Sequence, residues 1–428
     1  MEQILHLFNR YRATVGVLIL TVCIQGGVLI SQFLAAFFLV PSQVGVVRTI
    51  ESILSIVVLG TSVGAPTLAI REIAALLEGR EQALLLKRLI CMELIAGSLV
   101  AAALLATRGF WSGEMMHYAS MIAGVALFSN TIRVIAAFMQ GTQTASLFSL
   151  RVALLTCLSV GVVCLMARVF GVGGWVVGRY IGEATVLVGM LLAVRHYFEG
   201  GEGFGRHMLP TWHIVSLGVT ANLALFFRLL CDNLPILALA AAKVPTDQIG
   251  FFGLASLMLM GPNLLLSVTA QVELPRLVAQ LHTPALLRER FGRLLRNMVA
   301  LAAVFLVFVF IAWFINYKWL GLAYTPAINA LFIMVLALPM RAATLSLGIL
   351  ITALGKYRIF VYVNIIEAII TAMFAYPVAR HFAAEGIIIL FVVGSFASLL
   401  LHLSAVKFSG VLALLGYRGL SWRGNASH

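Results

Sequence analysis

Five arginines sit inside stretches that are otherwise almost wholly apolar: Arg48, Arg133, Arg179, Arg228 and Arg341. A guanidinium at the centre of a membrane-spanning helix costs about 2.5–3.5 kcal/mol on insertion scales, so it persists where it lines a polar chamber or meets a counter-charge. Its planar fork of donors binds carboxylate or phosphate oxygens two at a time. The five differ in depth. Arg48 and Arg179 fall near the outer edges of their stretches and Arg133 near an inner edge, where a long side chain reaches the headgroups. Arg228 and Arg341 lie near mid-span, beyond that reach. Acids accompany three of them: Glu51 follows Arg48 by three positions, Glu183 follows Arg179 by four, and Asp232 follows Arg228 by four. Each pair can share a helix face. A carboxylate that trades its arginine for a proton would tie ligand binding to an ion gradient, and Asp232 and Glu51 are the candidates for that coupling. Arg48, Arg133, Arg228 and Arg341 are the candidate binding residues for an anion. Asn222 is a fifth, a neutral hydrogen-bonding partner for hydroxyls, although Asn130, Asn222, Asn263 and Gln25 also suit the commoner work of joining helices. Pro235 and Pro339 stand beside the two deepest charges, where a freed carbonyl is tolerated if the backbone lines a wet cavity. Glu93 and Glu367 are solitary acids expected to be packed or interfacial.

The elements that hold these residues follow from composition. The chain has 428 residues, 62% hydrophobic and 11% charged, with mean hydropathy +1.05. A water-soluble domain needs about 25% charged residues, so this is a polytopic membrane protein. Apolar runs of about 20 residues, enough to cross roughly 30 Å of hydrocarbon, predict an all-α protein of twelve spans. They fall near 13–39, 44–70, 89–107, 118–138, 152–170, 173–194, 214–242, 247–270, 294–315, 328–353, 357–379 and 387–406. The first and second spans, and the fifth and sixth, are close enough to form helical hairpins.

Of the 29 lysines and arginines, 19 fall in the tails and the loops after even-numbered spans, five in the opposite loops, and five within spans. That asymmetry predicts both termini in the cytoplasm. The net charge of +13 then marks the inner face and its anionic lipids, not a nucleic acid. Segments 71–88 and 275–296 alternate leucines with charges and are expected to lie along the inner interface. The five cysteines lack metal-ligand spacing and read as small packing residues. The start, "MEQILHLFNRYR", reads as the approach to an uncleaved first span. The sequon at Asn425 lies in a tail expected inside the cell, where it has no glycosylation role.

The chain also repeats. Gly45, Arg71 and Arg88 recur as Gly250, Arg276 and Arg293, each 205 residues later. Gly174, Gly182 and Arg195 recur as Gly386, Gly394 and Lys407, each 212 later. Two six-span blocks in the same orientation imply an axis along the membrane normal and a ligand path between them. The expected division is an N-terminal lobe at 1–200, a glycine-rich cytoplasmic hinge at 201–213, and a C-terminal lobe at 214–428 with spans 7–12 and the tail. No GxxxxGK[ST] loop, HExxH motif or serine–histidine arrangement occurs, and the outer loops are short. The expectation is therefore a carrier and not an enzyme, with no cofactor beyond proton or sodium coupling.

The stretch "FFLVPSQVGVVRTIESILSIVVLGTSVGAPTLAIREIA" (37–74), its echo "KVPTDQIGFFGLASLMLMGPNLLLSVTAQVELPRLVAQ" (243–280), and the inner loops "MQGTQTASLFSLR" (139–151) and "ALGKYRIF" (353–360) resemble one family. It is the polysaccharide-exporter branch of the multidrug/oligosaccharidyl-lipid/polysaccharide superfamily, which includes O-antigen flippases and is related to the peptidoglycan lipid flippases and the multidrug and toxin extrusion (MATE) transporters. The resemblance implies two six-helix lobes around a V-shaped, basic cavity. It also implies an undecaprenyl-diphosphate-linked oligosaccharide as cargo, flipped across the bacterial inner membrane for O-antigen, capsule or exopolysaccharide synthesis. Partners on that reading are the lipid-linked oligosaccharide, membrane lipids, and polysaccharide polymerase and chain-length proteins. The alternatives are a cation-coupled multidrug antiporter, which favours an acidic cavity, and a membrane glycan polymerase or ligase, which the short outer loops disfavour.

Overall fold

The computed structural model describes residues 16, 19–20, 22–62, 64–75, 79–106, 118, 121–142, 144–195, 197, 212–278, 280–281, 283–317 and 324–408. The first twelve residues, hinge positions 201–211 and the tail beyond Phe408 with Asn425 lie outside the described residues. Within the described residues every regular element is helical. A π-turn at Val22–Gly26 leads into α1 (Gly27–Ala35). There follow α2 (Pro41–Thr61), α3 (Ala65–Ala75), α4 (Gly79–Ala106), α5 (Val125–Gly141), α6 (Ala145–Val194), α7 (Trp212–Ala241), α8 (Thr246–Val278), α9 (Pro284–Ile315), α10 (Thr325–Met334), α11 (Leu338–Ala353) and α12 (Tyr357–Phe408). Six helical segments are long and apolar enough to cross a membrane, and the chain is a multi-pass membrane protein.

Two of the helices hold two spans each. With 50 residues, α6 would reach about 75 Å if straight, more than twice the hydrocarbon thickness. It doubles back instead at Gly171, where φ is 61° and ψ −138°. The arms then run antiparallel: Gly174 meets Met166, Gly178 meets Val163 and Gly182 meets Ser159. A Cβ on Gly182 would fall 2.3 Å from the Ser159 hydroxyl oxygen, so the glycines of "GWVVGRYIG" are packing residues. The 52-residue α12 reverses in the same way at Ala383, bringing Ser398 within 2.8 Å of Glu367.

The repeat recurs in the elements. α2 and α8 begin at Pro41 and Thr246, and α4 and α9 at Gly79 and Pro284, both 205 apart. α6 and α12 begin at Ala145 and Tyr357, 212 apart, and their reversals at Gly171 and Ala383 keep that spacing. The chain forms two compact units, Met1–Leu229 and Leu230–His428. In the first, α5 is central, packed by α2, α3, α4 and α6, with Ile135, Phe138 and Met139 in a core shared with Leu68, Ile73 and Leu86. In the second, α11 takes the central place against α8, α9 and α12, with Leu350 and Ile351 among Phe252, Leu294 and Met298.

The division between the two compact units falls inside α7, between Leu229 and Leu230. The N-terminal part of α7 belongs to the first unit because Asn222 donates its amide to the Leu59 carbonyl at 2.7 Å, and Gly218 lies against Gly64. The tenth span is divided by a 3₁₀ turn at Val335–Ala337. Pro339 lacks an N–H and its ring would collide with the carbonyl four residues back, at Val335, so the helix tightens there.

Near the C-terminal end of α8, Glu273 accepts hydrogen bonds from Arg276 on its own helix and from Arg290 of α9 at 3.0 Å. The equivalent positions 205 residues earlier are Leu68 and Leu85, so an apolar contact of one unit is a polar clasp in the other. Partial burial works to raise the Glu273 carboxyl, but the two guanidinium bonds and their charges hold it below its ordinary value.

Two outcomes follow. Gly171→Ala should lower the thermal midpoint in detergent and Ala383→Gly raise it, by about 1 kcal/mol each, because positive φ penalises a Cβ; a lower midpoint for Ala383→Gly would show that the bend is unstrained. The Glu273 clasp has a depressed folded pKa, so its stabilisation, at most about 1 kcal/mol for a partly exposed pair, is present above the unfolded value and lost as pH falls through the folded one. Amide protection factors across 273–293, taken relative to the intrinsic exchange rate at each pH, should fall on acidification in the native chain and show no such step in Glu273→Gln.

Candidate functional site

Six charged residues of the first unit gather from four helices, with a neutral amide from a fifth. α2 presents Arg48 and Glu51 one turn apart, the second arm of α6 presents Arg179 and Glu183, α5 presents Arg133, α4 presents Glu93, and α1 presents Gln32. Arg179 is the hub. Its guanidinium lies 2.8 Å from Glu183 and 3.0 Å from Glu51, with the three side chains between 4% and 10% exposed. Arg48 is buried and donates to the Gln32 amide oxygen, while its Nε has no hydrogen-bond partner. Glu93 is buried near Ser62, Ala65 and Arg133. Arg133 is exposed and within electrostatic reach of Glu183, Glu93, Arg179 and Glu51. Three cations and three anions thus offset one another. Beside them Ser31, Thr156, Ser159, Arg179 and Glu183 line a cavity of about 30 Å³, room for a water or two.

The second unit holds a smaller arrangement. Asp232 of α7 forms an ion pair with Arg341 of α11, with side-chain exposures of 27% and 22%. The guanidinium lies 4.7 Å from the centre of the Phe391 ring on α12, a cation–π distance. Glu367 is within electrostatic reach of Arg341 and accepts from Ser398 at 2.8 Å; the Ser398 carbonyl meets His402 Nδ1 at 2.9 Å.

The sequence-derived pairs fare differently. Arg179–Glu183 forms. Glu51 pairs across helices with Arg179 instead of Arg48, and Asp232 with Arg341 instead of Arg228. Spacing of three or four permits a pair on one helix but does not select it, and a guanidinium from a neighbouring helix meets the carboxylate with better geometry. Arg228 is half-buried and makes no ion pair or hydrogen bond among the described residues. Asn222 spends its amide donor on Leu59, and Asn130 donates to Thr61 at 2.7 Å, both joining helices. The Gln25 side chain lies outside the described residues. Sequence reasoning passed over Gln32 and Phe391. The one signal for Phe391 is that it stands 212 residues after Arg179.

The architecture places the chain in a class: an all-helical, duplicated membrane protein whose units each carry buried arginine–carboxylate chemistry. No protein-family model matches the chain, and no curated protein matches its sequence. Solved structures do match its fold. A multidrug-resistance MATE transporter of the MOP superfamily in an inward-facing conformation superposes with a TM-score of 0.70 at 14% identity, covering 96% of this chain and all of the other. The lipid II flippase MurJ, inward closed, gives 0.69 at 13%, covering 96% and 93%. A MOP-superfamily transporter from Pyrococcus furiosus, whose binding pocket is described as reversed in polarity, gives 0.59 at 15%, covering 95% of each. The chain has a MATE-like fold.

Removing one partner from a sealed ion pair costs about 3–5 kcal/mol, and from an open one far less. Arg179→Gln should therefore lower stability toward denaturant by about that amount, stranding Glu51 and Glu183, whereas Arg341→Gln should cost less than half as much. Equal losses would mean that the two pairs are equally sealed.

Proposed function

We propose that this protein is a flippase that carries an undecaprenyl-diphosphate-linked oligosaccharide across the bacterial inner membrane by alternating access, with both termini in the cytoplasm, for surface polysaccharide synthesis. The observation that carries this reading is the state of the two deepest cations. Arg228 has no partner among the described residues, and Arg341 has a single, partly open one. Phosphate supplies a counter-charge that each of these guanidiniums can accept, and the attraction is larger in a low-dielectric site than in water. Arg133, exposed beside the balanced cluster, is the third phosphate candidate. Arg48 and Asn222 already hold protein partners and support the frame that positions the others. Asp232 and Glu51 remain the candidates for coupling to a proton or sodium gradient; Asp232 is held by an arginine that cargo would claim, and Glu51 by the sealed Arg179. The fold shared with a lipid II flippase supports cargo of this class, and polymerase and chain-length proteins are the expected neighbours in the membrane.

A second reading, a cation-coupled multidrug antiporter, is favoured by one feature: the acids Glu51, Glu93 and Glu183 equal Arg48, Arg133 and Arg179 of the cluster in number, and MATE multidrug transporters share the fold. The two separate in a deletion strain. A flippase mutant should accumulate completed single oligosaccharide units on undecaprenyl diphosphate, shielded from enzymes added outside, with unchanged drug susceptibility. Restored export by the native gene but not by Arg228→Gln or Arg341→Gln, at equal protein levels, would follow. Drug sensitivity without lipid-linked accumulation would establish the antiporter instead. Chain-length products formed by purified protein would show an enzyme.

A further inference from the structure

Each unit sets an arginine against a carboxylate from another helix, but the two pairs are built for different lives. In the first unit the cation is Arg179 on α6, and two carboxylates hold it with the pair almost wholly sealed. At the repeat position on α12 stands Phe391, and the cation comes instead from Arg341 on α11, resting over that ring. A single oxygen of Asp232 engages one terminal nitrogen of this guanidinium, and both side chains retain about a quarter of their exposure. The fork is therefore only half used. Its face is held by an aromatic ring, which does not compete for in-plane donors.

We propose that Arg341 is an anion-exchange site: a ligand phosphate displaces the Asp232 carboxylate from the guanidinium, while Phe391 holds the guanidinium plane before and after. The ligand class rests on the flippase reading above; the exchange itself rests on the geometry. Phosphate matches the full fork bidentately where Asp232 takes one edge, so it can win the contact. The displaced Asp232 and the nearby Glu367, fastened by Ser398, then repel the bound anion. A carrier needs that balance, because a ligand held too strongly in one state shifts the population there and stops the cycle. Asp232 thus serves as a built-in competitor, and Phe391 as a positioning residue.

Calorimetric titration of the full-length protein in detergent with inorganic pyrophosphate tests the exchange. Asp232→Asn should tighten Kd by about tenfold, Phe391→Leu should weaken it several-fold, and Arg341→Gln should abolish binding with or without Asp232→Asn. Thermal midpoints identify variants that remain folded. Binding by folded Asp232→Asn that is equal to or weaker than the native protein's overturns the exchange, as does binding that survives in the double variant. Displacement of pyrophosphate by undecaprenyl diphosphate but not by phosphatidylglycerol nanodiscs assigns the site to cargo, and equal displacement by both overturns that assignment. If Asp232→Asn tightens binding while the deletion strain accumulates no lipid-linked units, the exchange stands and the flippase reading falls. Accumulation without tightening gives the reverse.

Discussion

An ion taken out of water loses hydration worth several kcal/mol, and a buried site returns it only through close counter-charges and hydrogen bonds. That constraint organises both units. In the first, Arg179 draws Glu51 and Glu183 to itself from two helices, Arg48 is met by an amide from a third, and Arg133 answers the remaining acid field. The helices are placed so that these groups meet; the local i, i+3 and i, i+4 spacings alone would leave the acids elsewhere. The second unit satisfies the same constraint with fewer groups and less burial, and so keeps a cation in reserve.

Packing meets a separate demand. Lipid tails are as apolar as leucine, so burying Phe138 or Leu350 does not gain what it would in a soluble core, and association depends on close van der Waals fit and a few hydrogen bonds. The small-residue face of the second α6 arm lets it press against the first. Asn130 to Thr61 and Asn222 to Leu59 add polar ties between helices. The latter draws the start of α7 into the first unit. Duplicated architecture survives even where its chemistry has diverged: Ala383 bends as Gly171 does, although only one of them lacks a Cβ.

The divergence between units bears on function. The first unit seals Arg179 between Glu51 and Glu183, which suits a frame. The second exposes part of its pair and leaves a repeat position to Phe391, which suits a surface that exchanges partners. Arg228, on the stretch of α7 just before the division, adds a cation without a counter-ion among the described residues. The proposed anionic cargo fits this distribution, and the fold is shared with structures described as a multidrug-resistance transporter and as a lipid II flippase.

Read alone, the sequence determined the membrane class, the all-helical make-up, the tight hairpin of spans five and six, the register of the repeat, and the set of charges in apolar surroundings. Each is a one-dimensional property: run length, glycine spacing, recurrence at 205 and 212 residues, and residue type. Tertiary structure alone decided which charge meets which, that Asp232 belongs to Arg341 and Glu51 to Arg179, that Phe391 underlies a guanidinium, and that Asn222 is occupied by a carbonyl. The reason is reach. A long side chain on a helix can turn toward its own next turn or toward a neighbour, and only the rotation and approach of the packed helices settle which partner is closer.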